Sequence, residues 1–112
     1  MNNTSIITEV LKGVTSKKYE AKTDKWFEFL SSKITLPFEA KIKESENHEL
    51  QIGEIIKVTK ITDIVDMYGL LVEIKKGRKK FILPICDIEI VEKNSENYKL
   101  FDAFLEWWEE NR

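Results

Sequence analysis

The spacing of apolar residues changes twice along this chain, and those two changes constrain the fold more than any motif. Residues 4–12 place Ile6, Ile7, Val10 and Leu11 three and four apart. This predicts a short amphipathic helix capped by Thr4 or Ser5 and stopped at Gly13. A second helix is predicted to begin near Ser16 and to carry Tyr19, Trp26, Phe27 and Leu30 on a broad face, ending before Pro37. Its aromatics are expected to cover the edge or open end of a sheet. From Phe38 the period falls to two, with Phe38, Ala40 and Ile42 alternating with Glu39, Lys41 and Lys43. After a polar loop at 44–51, the β-branched run Ile52 to Ile61 predicts a second strand. Tyr68, Leu70, Val72 and Ile74 predict a third, joined through the KKGR hairpin, with Gly77 supplying a positive φ, to a fourth at Lys79 to Pro84. A one-turn connection at Ile85 to Asp87 leads to a fifth strand, Ile88 to Val91. Beyond Asn94 or Ser95, helical spacing returns. Tyr98, Phe101, Leu105 and Trp108 form one stripe, with Phe104 and Trp107 beside it. So wide an apolar stripe must be docked, on the strands or on the first helices.

Five short strands, tight turns and a one-turn helix before the last strand point to an α+β domain, mainly β: a five-stranded SH3-like barrel flanked by N- and C-terminal helices. An OB-fold also has five strands, but places a helix where this chain has only a hairpin. A length of 112 residues suits one domain, with 1–35 helical, 36–92 the barrel and 94–112 the C-terminal helix.

Several function classes lose support at this stage, and function must be sought in local clusters. With 18 basic and 20 acidic side chains the net charge is −2, so no global field favours a nucleic-acid or membrane partner. No apolar run approaches the ~20 residues of a membrane span, and the first residues do not read as a signal peptide, so a cytoplasmic protein is expected. One cysteine, Cys86, and one histidine, His48, provide neither a disulfide nor a Cys/His zinc site. Cys86, beside Ile85, is expected to be buried and inert, and His48 solvated. With no phosphate-binding glycine loop, H-E-x-x-H or G-x-S-x-G, no enzyme reading gains support.

Connections on alternate ends of an up-and-down arrangement put residues 62–67 and 85–87 at one end. That gathers Asp63 and Asp66 with Asp87 and Glu89, while Lys75, Lys76, Arg78, Lys79 and Lys80 fall at the other. Clustered carboxylates repel unless neutralised, and such oxygen ligands suit hard cations, Ca²⁺ more readily than Mg²⁺ where loop geometry is irregular. The ordinary roles of these residues are loop capping and solubility, and Asp87 also fits as a backbone-bonding turn residue. Glu44, Glu46 and Glu49 form a second acidic group, expected toward the basic end unless its loop curls back. The run KKGRKK could grip phosphates. A hairpin that resists edge pairing is the preferred reading, because Tyr68 and Phe81 sit at alternating core positions rather than on a stacking platform.

Four stretches together resemble the CcbP-type small calcium-binding proteins of bacteria: WFEFL followed by LPFEAKI, IGEIIKV, YGLLVEIKKGRKKFILPICDIEIVE, and ENYKLFDAFLEWWEENR, spread from Trp26 to Arg112. The third is the most specific, because a Tyr-Gly turn, an alternating strand, a Gly-Arg hairpin and a Pro-x-x-Asp-x-Glu ending occur in one order. The resemblance implies a non-enzymatic protein that binds Ca²⁺ through surface carboxylates, here Asp63, Asp66, Asp87 and Glu89. The family's dense acidic run before Tyr-Gly is reduced in this chain to TDIVDMYG, which implies either a weak site, with Kd on the order of 10⁻⁴ M or above, or a member that has lost calcium binding. The rival reading is a metal-free adaptor that binds a protein partner through a groove beside the terminal helix, anchored by Trp107.

Overall fold

A computed structural model describes residues 3–15, 17–65 and 67–111. The chain forms two compact units, one from residues up to Ile34 together with Asn94 onward, the other from Thr35 to Lys93.

The helical unit contains α1 (Asn3–Leu11), α2 (Tyr19–Lys33) and α3 (Glu96–Asn111), each touching the other two. Helix α1 starts upstream of the expected caps, so Thr4 and Ser5 lie inside it. Gly13 does end it, with φ 83° and Val14 N–H donating to the Leu11 carbonyl. The expected start at Ser16 lies outside the described residues; α2 begins at Tyr19, and Lys18 before it makes no side-chain cap. Ser95 does cap α3: its Oγ accepts from the Tyr98 N–H at 3.1 Å. Ser95→Ala is expected to lower stability by about 1 kcal/mol, measured by urea unfolding.

Within the helical unit, the aromatics of α2 meet those of α3. The Trp26 ring lies 5.4 Å from Phe104 and 5.8 Å from Trp107 of α3, and Tyr19 stacks on Trp107 at 5.9 Å. Aromatic rings contribute most when they meet edge-on or offset, and α3 offers Phe104 and Trp107 one helical turn apart to receive them. The buried face of α3 is Leu100, Phe101, Ala103, Phe104, Trp107 and Trp108, with Tyr98 and Leu105 at its margins. Asn3 Nδ2 donates to Asp102 Oδ2 at 2.9 Å, tying α1 to α3 on the polar side. No helix among the described residues is long and apolar enough to cross a membrane.

The second unit is an antiparallel sheet of β1 (Phe38–Ile42), β2 (Ile55–Val65), β3 (Gly69–Lys76), β4 (Lys79–Pro84) and β5 (Ile88–Ile90), in the order β4-β3-β2-β1-β5. A 3₁₀ turn, Ile85–Asp87, joins β4 to β5. The strand count and this turn match the sequence reading, but the expected barrel does not close. The edges are β4 and β5, and among the described residues no ladder joins them. Three-residue β5 spends its pairing on β1, with Ile88 opposite Ile42 and Ile90 opposite Ala40.

Strand β2 differs most from expectation. It begins at Ile55, leaving Ile52 out of the strand and 71% exposed, and it continues to Val65 rather than stopping at Ile61. Its inward residues are Ile56, Val58, Ile61 and Ile64, spaced two, three and three. An odd spacing on a pleated strand requires a bulge, and the pairing with β3 does shift between Val58 and Lys60 and again between Ile61 and Asp63. Each bulge is held by a threonine: Thr59 Oγ1 donates to Glu73, and Thr62 Oγ1 to the Leu71 carbonyl at 3.1 Å.

Candidate metal site

The carboxylates are positioned by three features of the sheet unit: the bulged end of β2, the 3₁₀ turn, and the loop between β1 and β2. Asp63 is a strand residue paired with Leu71, not a loop residue, because the second bulge carries β2 past it. It is exposed, and its Oδ1 accepts from the Ile64 N–H at 2.8 Å. Leu71 is in turn opposite Pro84, so the 3₁₀ turn departs from the same cross-strand row as Asp63. Asp66 lies outside the described residues.

Asp87 ends the 3₁₀ turn. Its carbonyl accepts from the N–H groups of Lys43 and Glu44, at 2.9 and 3.1 Å, which fixes the turn against the chain leaving β1. Its carboxyl is held above the usual aspartate range, first by burial and then by the negative charge of Glu44, with Glu46 adding to it; the Cys86 thiol and Lys43 oppose these only in part. The charged groups acting most strongly on Asp87 are therefore Glu44, Glu46 and Lys43, and Asp63 is not one of them. Acidic residues of the first loop, ranked second in the sequence reading, prove to be the close neighbours of Asp87. The antiparallel pairing of β5 with β1 places the residue before β5 beside the residues after β1.

That loop divides its charges. Leu50, 3% exposed, anchors it, and Asn47 Oδ1 accepts from the Glu49 N–H at 2.8 Å to make a tight turn. Glu49 and Glu54 then face the basic hairpin, Glu49 on Lys79 and Glu54 on Lys76 at 3.1 Å. The Gln51 N–H and Lys76 together hold the Glu54 carboxyl below its ordinary range. Glu44 and Glu46 stay with Asp87.

Glu89 is already neutralised. It forms an ion pair with Lys93 at 3.0 Å and lies opposite Lys41 on β1, and the Lys93 hydrogen bond heads the causes that lower its pKa. A carboxylate with two cationic neighbours attracts a metal ion less than one without.

Cys86 is exposed, not buried as expected. A 3₁₀ turn points successive side chains about a third of a turn apart, and Ile85, 3% exposed, takes the inward place. The thiol sits 3.8 Å from Asp87 Oδ1, and partial desolvation followed by that negative charge pushes its pKa up, which keeps it protonated. His48 is exposed, as expected. Tyr68 is 58% exposed and not a core residue, because β3 starts only at Gly69. Trp107 is 3% exposed, packed among Tyr19, Trp26 and Phe104, and so is not available as the anchor of an adaptor groove.

The carboxylates of Asp87, Glu44 and Glu46 offer oxygen donors, which fit Ca²⁺ and Mg²⁺; the neighbouring Cys86 thiol, held protonated, and the cationic Lys43 add no ligand. Among the described residues, no three His, Cys, Asp or Glu side chains stand together as a ready-made metal cage. The carboxylates are close enough to repel one another and would have to converge to share an ion.

The chain is similar in structure to the crystal structure of Anabaena CcbP, with a TM-score of 0.69 at 17% identity over 92% of this chain and 89% of that one. It is also similar to a calcium binding protein in the calcium-binding form, with a TM-score of 0.64 at 16% identity over 95% and 90%. At these identities the likeness concerns the fold. No curated protein sequence matches the chain. The CcbP family, described as calcium binding, matches residues 5–108. Nearly the whole length is covered, and the chain belongs to the CcbP calcium-binding family.

Proposed function

We propose that this chain is a non-enzymatic, cytoplasmic calcium-binding protein whose site centres on Asp87 with Glu44 and Glu46. Asp63, on the cross-strand row from which the 3₁₀ turn departs, and Asp66, three residues further along the sequence, are proposed to supply further charge, and Glu89 stays at the margin through its pairing with Lys93. The observation that carries this reading is the position of Asp87: partly buried, facing two glutamates, inside a chain that the calcium-binding family covers from residue 5 to 108. A bound Ca²⁺ would supply positive charge and nothing catalytic. Asp87 is held in place by the backbone bonds of its turn, so the ion would recruit Glu44 and Glu46 from the loop. Recruitment costs ordering entropy, which supports a weak site, with Kd on the order of 10⁻⁴ M or above. An unpaired exposed thiol at Cys86 suits a reducing compartment.

Calcium that binds only the folded chain must stabilise it. At calcium about 100-fold above Kd the gain is about 2.7 kcal/mol, which raises Tm by about 10 °C for a chain of this size. Thermal unfolding with and without CaCl₂, with KCl at matched ionic strength as control, tests the proposal; an unchanged Tm contradicts it.

A further inference from the structure

The basic run Lys75, Lys76, Arg78, Lys79 and Lys80 is split by strand alternation into two sets with different fates. Lys76 and Lys79 turn to the first loop and are paired with Glu54 and Glu49. Lys75 and Lys80 are opposite one another across β3 and β4, and Lys75 is opposite Lys57 on β2. Residues in register across a sheet share a face, so Lys57, Lys75 and Lys80 form one exposed row running across three strands, with Glu39 of β1 at its far end. None of the three lysines has an ion-pair partner among the described residues. In the next outward row stand Lys60, Glu73, which accepts from Thr59, and Ile82; Arg78 is exposed at the hairpin tip.

Like charges directly opposite on neighbouring strands are destabilising. Lysine on an edge strand is commonly explained as a guard against edge-to-edge pairing. That reasoning covers Lys80 on β4, which is an edge, but not Lys57 and Lys75, whose strands are flanked on both sides. Strands lie ~4.8 Å apart, so the row extends ~10 Å at the backbone, and at right angles to the strands. A peptide added to the β4 edge would run along the strands and meet only Lys80. A ligand that engages all three must cross the sheet and carry closely spaced negative charge along its length. The two rows hold no aromatic side chain on which a base could stack.

From this geometry we infer that the outer face of β2, β3 and β4 binds the phosphate backbone of duplex nucleic acid, without sequence preference, through Lys57, Lys75 and Lys80. The contact is independent of calcium. Its direct test is fluorescence anisotropy of a labelled duplex DNA with the full chain at low salt. Binding is expected, with log K falling against log salt at a slope of about −3, as three phosphate contacts dictate. The triple variant K57Q/K75Q/K80Q should lose about tenfold or more in affinity, while K17Q/K25Q/K33Q, an equal change of charge outside the sheet unit, should stay within about twofold. The Tm of the first triple should not fall, because its substitutions remove repulsion, so weakened binding cannot be attributed to unfolding. No binding at low salt overturns the inference, as does equal loss in both triples. Binding of poly-glutamate but not DNA through the same lysines overturns it too, in favour of an acidic protein.

Discussion

Trp26→Ala is expected to destabilise the protein by about 3–5 kcal/mol, the range for emptying a fully buried aromatic site. The ring is 0% exposed and is the meeting point of the helical unit, contacting Phe29 at 6.2 Å as well as Phe104 and Trp107. Its large side chain cannot be replaced by small shifts of its neighbours, because those neighbours are themselves rigid rings that would lose their contacts with it, edge-on for Phe29 and Phe104 and tilted for Trp107. Since a domain of this size has a total stability of about 5–15 kcal/mol, the substitution removes a large share of it. Trp26→Phe keeps a ring in place and should cost clearly less. Urea unfolding of both variants measures the difference; equal and small losses would show that the aromatic cluster is not what holds the helices together.

The second large effect concerns calcium. Asp87→Asn combined with Glu44→Gln should raise the calcium Kd at least about tenfold, which is about 1.4 kcal/mol, whereas Glu89→Gln should change it little because Lys93 already answers that charge. Stability should move the other way. The Asp87 carboxyl is pushed up by burial and by Glu44, so the folded chain holds that proton more tightly than the unfolded chain. This contribution is fully present below the unfolded aspartate pKa and is lost as pH rises through the higher folded value. At neutral pH without calcium the ionised Asp87 is therefore a burden, and Asp87→Asn should raise Tm by about 2 °C. The same shift means that calcium binding fails on acidification at a higher pH than for an ordinary aspartate. Calorimetric titration and calcium-free melting check the two halves. A variant that both binds normally and melts lower would remove Asp87 from the site.

The five strands along the chain, the Gly77 hairpin, the 3₁₀ turn and the Ser95 cap are legible because each rests on local chemistry: alternation, a positive φ, a side-chain oxygen at a helix start. Asp63 was misplaced for an equally local reason. Two bulges change the apolar spacing of β2 from two to three, and a strand with that spacing resembles a loop. The grouping of Asp87 with Glu44 and Glu46 depends on β5 returning to β1, a long-range pairing that no window of sequence contains. Tyr68 and Cys86 were assigned inward from apolar neighbours, but a residue just outside a strand and the middle residue of a one-turn helix need not follow the alternation around them. On its own helix Trp107 reads as a candidate anchor, but Tyr19 and Trp26 pack against it.

The most direct test of the central claim is a calcium titration followed by backbone amide NMR. Amide shifts should concentrate at residues 43–47 and 85–88, extend to 63–66, and leave 75–80 unmoved. Absence of shifts well above millimolar calcium, or shifts confined to residues remote from Asp87, would contradict it.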